Sequence, residues 1–323
     1  MKTFSISLSF TLLLFAAFLL YDSAIPAQSE KNSISRRNGK EVIEKAIEQF
    51  QTIKTINSRV LLKSHFFGEE YSGDGFYSEK RFPTVQESDV SPNRFLFTIK
   101  FQFPSSLENS SSTQKVLVDG SYFDKFIMIG NEGHRERVDL KKLQEILSKS
   151  QKNTQRNGGS TNQSQPVGLG ELTSLGGLEG TLIQIARYYD FNSATVENAT
   201  LGSENLAVWK VSAKLKPDKL KAMVESYGGD KVVAKHGGGH IPSAVTLYFG
   251  KEDLFPYRIC YYGGVKENLF HDQPSIDLEY RNVSINGDDI PTKLFDIGDT
   301  GNTVLNDVTE KYADRLLDEK PSL

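Results

Sequence analysis

The chain has 323 residues, 38 basic and 41 acidic side chains, a net charge of −3 and one cysteine, Cys260. That length can bury a sizeable core without staples, and a lone cysteine excludes an intramolecular disulfide. The near balance of charge excludes a long-range pull toward nucleic acid or anionic lipid. At the start, Lys2 precedes an apolar run from Leu8 to Leu20, and Ile25 and Ala27 in "DSAIPAQSE" suit signal-peptidase cleavage. Residues 1–27 therefore read as a signal peptide, the run being shorter than the about 20 residues that span a bilayer. An exported chain, periplasmic or otherwise outside the cytoplasm and soluble after cleavage, is the expectation. Residues 28–38 are polar and read as a disordered leader.

From Gly39 the pattern changes. Val42, Ile43, Ala46, Ile47, Phe50 and Ile53 recur at helical spacing and predict an amphipathic helix. In "RFLFTIKFQF" the odd positions Phe95, Phe97, Ile99, Phe101 and Phe103 share one face, while Arg94, Leu96, Thr98, Lys100 and Gln102 share the other. A long antiparallel sheet with one apolar face follows from that alternation. "TQKVLVDGSYFDKFIMIG" reads as a hairpin turned by Asp119-Gly120, at which positive φ is expected. Asp139 is placed to cap a second helix carrying Leu143, Ile146 and Leu147. Residues 148–170 have almost nothing to bury and read as a flexible insertion. Leu178, Leu182, Ile185, Ala186 and Tyr189 predict a third helix. Ala207, Trp209, Val211, Ala213 and Leu215 then share a strand face, and Pro217 opens a short helical stretch with Leu220, Met223 and Val224. Val245, Leu247 and Phe249, then Tyr257, Ile259 and Tyr261 across "GKEDLFP", predict a second hairpin. Ile276, Leu278 and Tyr280 mark one more strand. The domain runs over 39–295, with 296–323 as a weakly periodic tail.

Chemical signatures are sparse. His236-Gly237-Gly238-Gly239 imitates an oxyanion-hole motif, but no G-x-S-x-G elbow accompanies it. His236 and His240 are separated by three glycines, which argue against the helix that would bring them to one metal, and His65, His134 and His271 are scattered. Cys260 and Arg258 share a strand face with no histidine beside them, and alternation alone explains both. Glu252 and Asp253 are turn residues. No catalytic residue, metal site or cofactor is predicted. Asn109, Asn162, Asn198 and Asn282 begin N-x-S/T triplets that matter only where exported proteins are glycosylated.

The order of these pieces carries a resemblance: an amphipathic helix, "YSGDGFYSEK" with Gly73 and Gly75, a long aromatic strand, "VDGSYFDKF" with Asp119 and Gly120, interrupting helices, and "PSAVTLYFGKEDLFPYRI" with Asp253 to Arg258. Over roughly residues 40–145 and 205–285 the chain resembles the LolA-like superfamily of periplasmic lipoprotein carriers, particularly the enlarged members of planctomycete bacteria. The resemblance implies an α+β fold in which a curved antiparallel sheet forms an unclosed half-barrel covered by helices, as in LolA and LolB. It implies binding of a lipid or lipoprotein acyl chain in an apolar cavity between sheet and helices, without covalent chemistry. The candidate lining residues are Phe95, Phe97, Ile99, Phe101, Trp209, Val211, Leu247, Phe249, Tyr257 and Ile259. Expected partners are acyl chains and envelope membrane proteins, not nucleic acid. The competing expectation is a periplasmic sensor or regulatory module that binds a protein partner through the same fold.

Overall fold

The computed structural model describes residues 36–66, 69–82, 93–102, 111–130, 132–156, 177–202, 204–217, 219, 242–263, 273–296 and 303–318. The signal peptide, Phe103, Asn109, Asn162, residues 157–170, the stretch from Leu220 to His240, and His271 lie outside the described residues. Two compact units divide the rest. One holds the described residues up to Gln51 with Leu61–Ser72 and Gln184–Arg281, and the other holds Thr52–Val60, Gly73–Ile183 and the described residues from Asn282 onward.

The first unit begins with β1 (Arg36–Asn38), which passes straight into α1 (Gly39–Phe50). The Asn38 side chain accepts the Lys40 N–H at 3.0 Å and satisfies one of the donors left open at the helix start. Glycine follows because a Cβ on Gly39 would lie 2.2 Å from the Asn192 carbonyl oxygen. Val42, Ile43, Ala46 and Phe50 are buried, while Glu41 and Lys45 pair on the exposed side. The unit's sheet is built from β8 (Tyr189–Phe191), β9 (Ser193–Leu201), β10 (Glu204–Leu215), β11 (Pro242–Gly250), β12 (Pro256–Gly263) and the first part of β13 (Ile276–Ile285). Register places Trp209 beside Phe249, Val211 beside Leu247, and Leu247 beside Ile259. In the β11–β12 turn Leu254 has φ 49° and Asp253 accepts the Phe255 N–H at 3.0 Å. This turn delivers Phe255 into the core, stacked on Phe50 with ring centroids 6.0 Å apart and edge-on to Tyr257 and Tyr280.

Three strands, β2 (Thr55–Phe66), β3 (Glu69–Arg81) and β13, contribute to both units. The second unit adds β4 (Asn93–Gln102), β5 (Ser111–Val118), β6 (Tyr122–Ile129), β7 (Glu132–Asp139) and β14 (Val304–Asp307). Its helices are α2 (Leu140–Arg156), the first half of α3 (Gly177–Tyr188) and α4 (Thr309–Asp318). The hydrogen-bonded strand order is β1-β9-β10-β11-β12-β13-β2-β3-β4-β5-β6-β7-β14. Among the described pairings none joins β1 to β14, so the sheet is unclosed. The fold is an α+β arrangement dominated by this antiparallel sheet, with β14 added parallel to β7.

Several expectations are corrected. Arg36–Asn38 do not belong to a leader: they pair with Ser193–Thr195 through backbone groups, which their polar side chains give no sign of. Residues 148–156 continue α2, since Lys, Gln and Arg are good helix formers whether or not they bury anything. Residues beyond 296 supply β14 and α4. In the β5–β6 turn only Gly120 has positive φ, at 101°. The loop pair is Gly120-Ser121, and Asp119 instead accepts the N–H groups of Ser121 and Tyr122 at 2.9 and 2.7 Å. Asp139 does cap α2, accepting the Lys142 N–H at 2.9 Å.

Candidate functional site

The ten apolar candidates fall in different units. Phe95, Phe97, Ile99 and Phe101 belong to the second, and Trp209, Val211, Leu247, Phe249, Tyr257 and Ile259 to the first. Val211, Leu247, Phe249 and Ile259 have no exposed surface, so these side chains are packed core and touch no space that water can enter. Trp209 is nearly as buried, with the Arg37 guanidinium 4.8 Å above its ring. Tyr257 is half-buried and donates its hydroxyl to Asp253 at 2.7 Å.

On β4 the packing differs. Phe95, Ile99 and Phe101 are buried, but Phe97 is only half-buried. Gly73 lets Ile99 and Phe101 lie against the backbone of β3, since a Cβ there would stand 2.8 Å from Ile99 Cγ1 and 3.2 Å from Phe101 Cδ1. Tyr77 stacks on Phe95 with centroids 6.2 Å apart. Leu96 and Leu117, on the opposite face, are covered by Ile290 and Phe295 around the short 3-10 turn Thr292–Phe295.

The same β3 face carries a polar cluster. Tyr77, Glu79 and Arg81 alternate along the strand and so project together. They meet the first turn of α3, which starts at Gly177 with φ 80°. Tyr77 Oη accepts the Leu178 N–H at 3.0 Å and donates to Glu79 Oε2 at 2.5 Å. Arg81 donates to Glu179 Oε2 and lies 3.5 Å from Glu79 Oε1. Glu79 is only 3% exposed. Burial pushes its carboxyl above the usual range, against the opposing pull of Arg81 and the Tyr77 hydroxyl. Leu178, Leu182 and Ile185 bury the apolar side of the helix. A greasy helix is thus fastened at its start by a network of two carboxylates, one guanidinium and one phenol. Sequence reasoning did not single out this cluster; its signal was Tyr, Glu and Arg at every second position of a strand that otherwise keeps an apolar face.

Arg258 grips Asp277 with two hydrogen bonds of 2.8 and 2.7 Å, and Cys260 Sγ lies 3.4 Å from Asp277 Oδ1. Burial and this carboxylate push the thiol up to about 12, which favours the protonated form at neutral pH. Glu252 is exposed in its turn. His65 lies between Pro274 O and Glu70, at 3.1 and 3.2 Å. Among the described residues no group of three His, Cys, Asp or Glu side chains is placed to hold a metal. No described helix is long and apolar enough to cross a membrane.

No family model matches the chain, and no curated protein matches it. Solved structures do. A putative outer membrane lipoprotein-sorting protein domain from Vibrio parahaemolyticus matches with 9% identity, 80% of this chain and 97% of its own, at a TM-score of 0.30. MucB in complex with MucA(peri) matches with 7% identity, 80% of this chain and 58% of its own, at a TM-score of 0.28. A LolA superfamily protein from Nitrosomonas europaea matches with 12% identity, 80% of this chain and 98% of its own, at a TM-score of 0.27. The chain is thus similar to a set of solved structures that includes a LolA superfamily protein.

Proposed function

We propose that the protein is an exported carrier that takes a lipid or lipoprotein acyl chain onto the aromatic face of β4, with α3 as a cover that yields to it. The observation that carries this reading is the manner of fastening. The α3 start is held by the Tyr77–Glu79–Arg81–Glu179 network, directly beside Phe95, rather than by apolar packing alone. A polar fastening re-forms with water when broken, at a net cost of about 1 kcal/mol per hydrogen bond, and exposing Leu178, Leu182 and Ile185 adds about 1.5 to 3 kcal/mol each, which the acyl chain offsets by taking their place. Burial of a sixteen-carbon chain, at about 0.8 kcal/mol per methylene, would supply up to roughly 12 kcal/mol before ordering costs. No covalent step is needed, and none is proposed.

Native mass spectrometry of the chain purified from its source, with displacement of a fluorescent fatty acid, tests the reading. Co-purified lipid is expected, with faster probe entry in Arg81→Met, which loosens the start of α3. A chain that carries no lipid and binds no probe, as wild type or as Arg81→Met, overturns it. Capture of a protein partner by such a lipid-free chain would point to the regulatory alternative.

A further inference from the structure

The face of the second unit opposite the aromatic face of β4 is covered at Leu96 and Leu117 by Ile290 and Phe295 and buries Phe126, and around these it has a composition the carrier reading does not use. Register sets one row across five strands: Thr98, Lys115, Phe126, Arg135 and Leu305. The adjacent row starts at Lys100 and includes Met128. These two rows hold three cations and no carboxylate, because Glu132 and Glu136 of β7 alternate to the other face. The nearest acid is Asp124, in the next row. It is 1% exposed and receives paired hydrogen bonds of 2.8 to 3.0 Å from both Arg135 and Arg137. Asp307 of β14 stands opposite Arg137 in that same row, so two carboxylates balance the two guanidiniums, and the excess positive charge of the face is that of Lys100 and Lys115. Among the cations stand two exposed apolar side chains, Met128 at 39% and Leu305 at 52%.

We propose that this face docks on an anionic lipid surface. Phosphate headgroups match Lys100 and Lys115, and the apolar layer beneath them takes Met128 and Leu305, for which an acidic polypeptide offers no such layer. With the whole chain at −3, attraction is local, confined to about 10 Å at 0.1 M salt, and screened as salt rises. Because it uses the side of the sheet opposite Phe95, docking does not depend on acyl-chain binding, and either can fail alone.

Sedimentation of the full chain with vesicles of phosphatidylcholine, alone or mixed with phosphatidylglycerol, tests the proposal. Binding only to the mixed vesicles is expected, and Lys100→Gln with Lys115→Gln should weaken it roughly 30-fold. Met128→Ser with Leu305→Ser should also weaken it while far-UV circular dichroism stays unchanged. Equal binding to both vesicle types, or full binding by the lysine double variant, overturns the proposal. Binding to polyglutamate without binding to either vesicle also overturns it and assigns the face to an acidic polypeptide.

Discussion

Asp124 is the residue on which the second unit's polar packing turns. Its carboxylate lies beneath Arg135 and Arg137, whose side chains are 15% and 26% exposed, and their hydrogen bonds hold it ionised below the usual carboxylate range despite its burial. A group with a lowered folded pKa stabilises the fold above its unfolded value and loses that contribution as pH falls through the folded one. Asp124→Ala strands two guanidiniums against each other, and a loss of about 3 to 5 kcal/mol is expected in urea denaturation at neutral pH. Cys260 is the opposite case. With its thiol raised to about 12, it should resist iodoacetamide in the native state at neutral pH and react once the chain is unfolded in urea, as mass spectrometry of the labelled protein would show. Of these two, the cysteine's structural role was legible from alternation alone. The Asp124 cluster was not, because it joins residues 11 and 13 apart in sequence across a hairpin, and only the register brings them together.

At the scale of elements, β3 and β4 show how closely two strands and a cover are fitted. A Cβ on Gly75 would lie 1.8 Å from the Thr98 carbonyl oxygen, whereas one on Gly73 meets side-chain atoms of Ile99 and Phe101 that can shift. Gly75→Ala should therefore cost about 3 kcal/mol, read from its urea midpoint, and Gly73→Ala less. The fastening of α3 responds to protons. Glu79 has a folded pKa above its ordinary value of 4.5, so the folded state binds the proton more tightly than the unfolded chain. Stability is then gained as pH falls through the raised value and is lower above it. The denaturation midpoint should rise as pH is lowered from neutral toward the ordinary carboxylate range, and Glu79→Gln should flatten that rise. Helices and hairpins were readable here because each buries one periodic stripe. The polar network escaped notice because period-two alternation treats Glu79 and Arg81 as breaks in an apolar face rather than as partners of Glu179, some hundred residues later.

For the molecule as a whole, stability rests on packing and hydrogen bonds. Cys260 is the chain's single cysteine, so the thermal midpoint should be unchanged by reductant, and a shift on adding dithiothreitol would reveal a cross-link between chains. The antiparallel sheet and most strand faces followed from alternation, and the α+β class from the resemblance. What did not follow were β1, β14 and α4. The two strands bury little and rest on backbone pairing, while α4, started by Asp307 accepting the Thr309 N–H at 2.9 Å, buries the small Ala313 and sets the Tyr312 ring against Phe123, too short a stripe to read. Partition of the sheet into two compact units was equally invisible, since β2 and β3 run through both without a change in composition. The β14 pairing has a kinetic consequence. Its partners on β7 lie 170 residues earlier, as Val304 opposite His134, and closing so long a loop is entropically slow. This strand should be the last to zip on and the first to exchange its amide protons with deuterium. Leu305 rides on it, so a nascent chain that has not yet finished folding would lack part of its headgroup-facing surface and would be held back from premature adhesion.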